Sequence, residues 1–280
     1  MANPSNPAGQ EDLDRSESTD ALSPAADHQG EQLAAALLAR AQRIVVLSGA
    51  GLSTGSGIPD FRGPNGLWTR DPGKAKLFDF DSYVADAALR RQAWRSRAEH
   101  PAWRAQPNDG HRALVQWAQA GVLTAVLTQN IDGLHVQAGL PVDLVVELHG
   151  TLREVVCLGC GDITDMTIAL DRVRNGEADP ACQRCGGILK SNTISFGQQL
   201  DPTVVAAAVA AARSADVFVV LGSSLTVQPA AGLCDVAVAS GAALVVANAE
   251  PTPYDGIAAT TVRSDLSHWL PRVRVATASP

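Results

Sequence analysis

Four segments of the chain combine residue types and spacings that could do chemistry. The first is Gly49-Ala50-Gly51-Leu52-Ser53-Thr54-Gly55-Ser56-Gly57-Ile58-Pro59-Asp60-Phe61-Arg62, directly after the apolar run Arg43–Ser48. Glycines at a strand end let the backbone approach a phosphate, and a following helix N-terminus adds N–H groups and a positive dipole end. A tight turn needing positive φ accounts for the glycines as well. It does not account for a carboxylate, a ring and a guanidinium together at Asp60, Phe61 and Arg62. The spacing is Gly-x-Gly-x-x-x-Gly, not the Gly-x-Gly-x-x-Gly of dehydrogenases. No acid ends a second strand about 20 residues on, where an adenosine ribose would be held.

The second segment, Thr128-Gln129-Asn130-Ile131-Asp132-Gly133-Leu134-His135, ends another strand-like run. Ligands of open parallel sheets sit beyond the carboxyl ends of strands, so amides and a carboxylate there suit a polar ring or a sugar. Helix capping by Asn130 or Asp132 is the competing reading. The third is Glu147-Leu148-His149-Gly150. Imidazole titrates near neutrality and can take a proton from a hydroxyl. Alone, His149 reads as structural; beside the other two segments it reads as a base. The fourth is Cys157-x-x-Cys160 and Cys182-x-x-Cys185, with 21 residues between the pairs. That is one residue beyond the usual 15–20. Four thiolates suit tetrahedral zinc and leave no open position for water, so one structural zinc is expected. Cys234 lies in an Ala/Val-rich helical stretch and reads as a small core residue.

Residues 32–42 look helical and lead into the run Arg43–Ser48. Similar runs recur at Val122–Thr128, Leu144–Leu148, Val217–Leu221 and Ala243–Ala247, with Ala-rich helical stretches around 111–120, 202–214 and 229–239. β-branched runs without polar alternation are strands buried on both faces. The expected class is α/β, a Rossmann-like parallel sheet with helices on both faces. Two stretches break the alternation: 71–105, which is strand-poor and rich in Arg and Trp, and 154–192, which holds the cysteines. Both are expected to be insertions forming a smaller zinc-binding and helical domain beside a large domain of 32–70, 106–153 and 193–280.

The chain has 280 residues, 46% hydrophobic, 18% charged and only 4% aromatic, so Val, Leu and Ala must fill the core. The net charge of −7 is unevenly spread: residues 1–31 hold seven acids and one Arg, whereas the remaining 249 carry 22 acids and 21 bases. Poor in large apolar groups, residues 1–31 are expected to be a disordered acidic tail. The near-neutral body argues against a nucleic-acid surface and hence against a zinc-ribbon binding module. No apolar stretch approaches the roughly 20 residues of a membrane helix. The start lacks a basic region followed by an apolar core, so a cytoplasmic protein is expected.

Taken together, the Gly-Ala-Gly loop running to Ile-Pro-Asp-Phe-Arg, Thr-Gln-Asn-Ile-Asp-x-Leu-His, Glu-Leu-His-Gly, the paired cysteines and Gly222-Ser223-Ser224-Leu225 resemble the sirtuins from about residue 32 to the C-terminus. The resemblance implies NAD-dependent removal of acyl groups from protein lysines, with NAD consumed and nicotinamide and O-acyl-ADP-ribose released. It implies acylated proteins as substrates and an NAD site of Gly49, Ala50, Gly51, Ser53, Ile58, Asp60, Phe61, Arg62 and Trp68. Gln129, Asn130, Ile131 and Asp132 would surround the nicotinamide and its ribose. His149 would be the base, with Asn130 also catalytic. Gly222, Ser223 and Ser224 would meet phosphate and ribose. Asn248, Ala249 and Glu250 would hold the adenosine ribose, and Leu266 the adenine. Ser195, Phe196 and Gly197 would pair with the substrate peptide as an added strand.

Gln198 stands where many members have Glu, and Ser191-Asn192 replaces a usual Pro-containing pair. Tyr83 is not followed by the Tyr-x-x-Arg arrangement of the succinyl- and malonyl-removing branch, so an uncharged acyl group, most simply acetyl, is expected. The rivals are mono-ADP-ribosyl transfer on the same scaffold and an NAD-dependent dehydrogenase.

Overall fold

The computed structural model describes residues 24–277. Nine strands form among them: β1 (Ile44–Ser48), β2 (Leu123–Thr128), β3 (Val145–Glu147), β4 (Gly150–Cys157), β5 (Ile163–Asp165), β6 (Leu189–Thr193), β7 (Val217–Leu221), β8 (Ala243–Ala247) and β9 (Thr260–Val262). Six make one parallel sheet in the order β3-β2-β1-β7-β8-β9. The chain winds outward from β1 through β2 to β3, then returns to the other side of β1 and winds outward again. This is the doubly wound order, and its switch point lies between β1 and β7.

Side chains alternate between the faces of this sheet, and both faces are dry. Ile44, Val46, Val126, Val219 and Val245 pack under the first helix, α1 (Pro24–Leu38), and the helix Asp109–Gln119, whose Leu114 and Trp117 are buried. Val45, Leu47, Leu127, Phe218, Val220 and Val246 face the opposite way. There they meet Ala208 and Ala212 of the helix Pro202–Ser214 and Leu233, Cys234 and Ala237 of the helix Leu233–Ala239. Each fully buried Val or Leu contributes about 1.5–3 kcal/mol of transfer free energy. Cys234 is thus a core residue.

The second sheet has three antiparallel strands in the order β5-β4-β6. The helix Met166–Arg174 packs on it, and the helix Ala87–Ala98 packs on that helix. Trp94, Ala102, Leu152, Val155, Met166, Leu170 and Leu189 share one core, so residues from both stretches that interrupt the alternation meet here. Asp79 and Asp86 start successive helices by accepting from Ser82 N and Ala88 N. These caps explain how a polar stretch becomes helical.

The structure moves several boundaries. α1 begins at Pro24, eight residues before the expected start, so 24–31 are helical rather than tail. The tail expected over 1–23 lies outside the described residues. The helix expected around 229–239 forms only from Leu233. The short edge strand β9 carried no apolar run to announce it.

Candidate active site and zinc centre

Strand register brings the three segments together. Ser48 at the end of β1 pairs with Thr128 of β2 and Leu221 of β7, and Thr128 pairs with Glu147 of β3. Neighbouring strands lie about 4.8 Å apart, so the residues that follow these four positions must emerge side by side. They also bond to one another. Asn130 Nδ2 donates to the Gly49 carbonyl at 3.0 Å, and Gly51 N donates to the Gly222 carbonyl at 2.8 Å. Gln129 Nε2 donates to Ser223 Oγ at 2.8 Å.

The glycines serve this crossing. A Cβ at Gly49 would stand 2.7 Å from the Gly222 carbonyl oxygen, one at Gly51 2.7 Å from Gly222 Cα, and one at Gly222 2.4 Å from Leu52 N. Side chains at any of the three would push the two loops apart. The loop-to-loop approach therefore explains these glycines without invoking a phosphate. Positive φ adds a second requirement at Gly222 (φ 66) and at Gly57 (φ 82), which ends the short 3-10 helix Ala50–Ser56.

Ser53, Asn130 and Asp132 are buried and linked: Ser53 Oγ donates to Asp132 Oδ2 at 2.7 Å and accepts from Asn130 Nδ2 at 3.2 Å. Asp132 Oδ1 also accepts from Leu134 N at 2.9 Å. One oxygen of Asp132 thus closes a local turn before the helix Leu134–Gln137, whose N-cap is Gly133, while the other faces the first loop. His149 Nδ1 lies 3.1 Å from the Gln129 carbonyl oxygen. A carbonyl can only accept, so Nδ1 carries the proton and Nε2 keeps the basic lone pair. Burial holds this imidazole below its ordinary pKa, opposed by the bond to Gln129, so the neutral form prevails at pH 7.

Phe61 and Trp68 form an aromatic group with Phe78 and Phe196, with centroids 4.8 Å apart for Phe61–Trp68 and 5.5 Å for Trp68–Phe196. Arg62 stacks on Trp68 at 4.6 Å. Burial lowers its pKa, and among the described residues it has no acidic partner. Asp60 Oδ1 caps Gly63 N at 3.0 Å. Ser195–Gly197 runs beside Phe78–Phe80: Phe196 N donates to Phe78 O and Phe80 N to Phe196 O. The Gln198 side chain accepts from Ser195 N at 3.0 Å.

Other residues stand further from this cluster. Asn248, Ala249 and Glu250 follow β8 on the far side of β7. There Asn248 Nδ2 donates to the Glu250 carbonyl, and Ser224 Oγ lies 3.0 Å from Thr226 Oγ1. Leu266 is packed into the large core, and Ile58 and Ile131 lie against the small one, so their side chains contribute first to packing.

Sequence reasoning assigned no role to Glu147, whose carboxyl is pushed up to about 7 by burial and then by Glu154 and Asp132 nearby. It also missed the buried pair His111 and His135, with centroids 5.2 Å apart. Burial lowers them to about 4 and about 3. His135 Nε2 lies 2.8 Å from Ser48 Oγ, which donates to Thr128 Oγ1, and that oxygen accepts from Asn130 N. His135 therefore underpins the Asn130 turn. Perturbed titration in this way is the signal that only burial reveals.

The four cysteine sulfurs lie within 4.8 Å of one another, with Cys157–Cys185 at 3.4 Å and Cys160–Cys182 at 3.9 Å. Zinc–sulfur bonds of about 2.3 Å in a tetrahedron put sulfurs about 3.8 Å apart, so the set fits zinc with no fifth donor needed. Gly159 N and Gly187 N donate to Cys157 and Cys185 sulfur.

Comparison with known proteins agrees with this arrangement. The Sir2 family model matches residues 49–229. The chain belongs to the Sir2 family. It is 51% identical over 228 residues to NAD-dependent protein deacetylase 2 of Streptomyces coelicolor, covering 81% of this chain and 95% of that protein. The NAD-dependent protein deacetylase of Haloarcula marismortui is 41% identical over 255 residues, covering 88% and 95%. Among solved structures, a Sir2 complex with deacetylated p53 peptide and 3'-O-acetyl ADP ribose superposes with a TM-score of 0.80. It is 34% identical and covers 86% of this chain and 96% of that one. A Sir2–p53 peptide–NAD+ complex gives 0.76 at 34% identity, covering 85% and 94%. The Rossmann-like sheet with a cysteine-bearing companion is therefore the Sir2 fold.

Proposed function

We propose that this enzyme deacetylates protein lysine side chains at the expense of NAD, releasing nicotinamide and O-acetyl-ADP-ribose. Because the acyl group passes to ADP-ribose, it is a transferase. The observation that carries the reading is the His149 imidazole, held by Gln129 with Nε2 free, in a pocket where three strand ends converge at the switch point. Membership of the family and relatives named as deacetylases support it.

The residues divide the work. NAD supplies the glycosidic bond that breaks and the ribose that accepts the acyl group. Asn130 and Asp132, ordered by Ser53, hold polar groups against the ribose and the nicotinamide. Arg62, a cation without an acidic partner among the described residues, suits the pyrophosphate. Phe61 and Trp68 exclude water, which would otherwise compete with the weakly nucleophilic amide oxygen. His149 Nε2 takes the proton from a ribose hydroxyl as that oxygen attacks the acyl carbon. Acylated proteins are the substrates, entering along Ser195–Gly197. Cys157, Cys160, Cys182 and Cys185 would hold the zinc, which would stabilise the small domain and, with four protein ligands, would have no open position for chemistry. A cytoplasmic site of action suits four thiolates that must stay reduced. The two-domain division at 71–105 and 154–192 belongs to the same proposal.

Incubation with NAD and a panel of acyl-lysine peptides, with products identified by mass, tests the reading. Acetyl-lysine should disappear in step with nicotinamide release and without NADH absorbance. ADP-ribose attached to protein, with the acetyl-lysine intact, would overturn it. His149→Ala should lower kcat by about 10²–10⁴-fold while NAD binding persists.

A further inference from the structure

Two acids of the expected tail are structural. Asp27 Oδ1 accepts from the Arg263 backbone N–H at 2.8 Å, and Oδ2 lies 3.1 Å from the Ser264 hydroxyl. One turn on, Glu31 accepts from the same hydroxyl and from the Arg272 guanidinium at 3.3 Å. α1 comes this close because position 30 is glycine: a Cβ there would stand 2.1 Å from the Thr261 carbonyl oxygen. Thr260 Oγ1 donates to the Gly30 carbonyl at 3.1 Å. The helix thus lies against the open edge of β9.

Arg263 carries this contact across the sheet edge. Its side chain is only 12% exposed and pairs with Asp255. It donates to the Asn248 carbonyl at 2.9 Å and the Glu250 carbonyl at 3.3 Å. A rigid planar fork holds two carbonyls only while its own backbone is fixed. Asp27 fixes that backbone on one side, and Asn248 N, donating to Val262 O at 3.0 Å, fixes the loop on the other.

We infer that Asp27 and Glu31 are positioning residues for the adenosine half of the NAD site. Through Arg263 and Ser264, the first turns of α1 set the loop Asn248–Glu250. The inference rests on the reading of that loop as the adenosine-ribose segment. Because β7, β1 and β2 lie between β8, which the loop follows, and β3, which precedes His149, the effect falls on capture of the dinucleotide and not on the chemical step.

Kinetics of the full chain carrying D27A and E31A, with NAD varied at saturating acetyl peptide, test this. Loss of two charge-assisted contacts should raise KM for NAD roughly tenfold and weaken ADP-ribose binding equally, with kcat and peptide KM within about twofold. The single variants Asp27→Asn and Ser264→Ala, milder for folding, should each raise KM for NAD about two- to threefold. An unchanged KM for NAD alongside a lowered Tm would make the contact merely structural and overturn the inference, as would a fall in kcat at constant KM. Glu250→Ala separates the underlying reading: if that variant keeps the wild-type KM for NAD, the assignment of the loop fails, whatever Asp27 does.

Discussion

In the parallel sheet, Val45, Val46 and Leu47 of β1 are all fully buried, because helices cover both faces. In the three-stranded sheet, every residue of β5 is exposed, and two of the four cysteines, Cys160 and Cys185, face solvent. The first region has enough apolar surface to hold itself. The second has a one-sided core under Trp94, Met166 and Leu170, which reaches Cys157 and Cys182 but leaves Cys160 and Cys185 outside it. A metal held by the four thiolates would supply there what hydrophobic burial supplies in the sheet. The difference teaches that the cofactor-binding framework and the metal answer to different perturbations, although residues of both insertions pack close to the site.

Chelation of the metal, or Cys160→Ser, should give the largest effect. Structural zinc contributes about 10–16 kcal/mol in small metal-held domains, so the lobe should lose protection in hydrogen exchange while β1, β2, β7 and β8 keep theirs. Equal loss of protection in both sheets would break the contrast. Leu47→Ala should cost about 2–5 kcal/mol in denaturant unfolding without changing zinc content. Tyr83→Phe, which removes the 2.7 Å bond to the buried Leu189 carbonyl, should cost about 1–3 kcal/mol and be felt mainly in the lobe.

The effects of pH sharpen the comparison further. His111 and His135 have folded pKa values of about 4 and about 3, below the unfolded 6.5. The unfolded chain therefore binds more protons between these limits. Their contribution is present above pH 6.5 and is lost as pH falls toward 4, on the large-domain side only. His135→Gln should flatten that acid limb in thermal melts. Activity has its own limb: because His149 lies below its ordinary value, kcat should fall only at pH below 6.5. A limb centred above 7 would sink the assignment of the base.

The long strands were legible because strands buried on both faces must be apolar along their whole length; β1, β7 and β8 fall within a residue or so of the runs that announce them. β9, with Thr260 and Thr261 on an edge, offers no such run. The cysteine pairs and the strand-end segments were legible because ligand spacing and glycine loops are local. Asp27 and Glu31 were not: composition counted them as tail charges, since their partners Arg263, Ser264 and Arg272 lie more than 230 residues away.

The sequence by itself determined the alternation of strands and helices, the four thiolates and the presence of an imidazole after β3. Each of these rests on periodicity or on spacing within one segment. Only the tertiary structure decided that Gly49, Gly51 and Gly222 exist for each other, that Nδ1 of His149 is committed to Gln129, and that Glu147 is raised to about 7. These are properties of desolvation and close approach, and a chain acquires them only when distant segments exclude water from the same place.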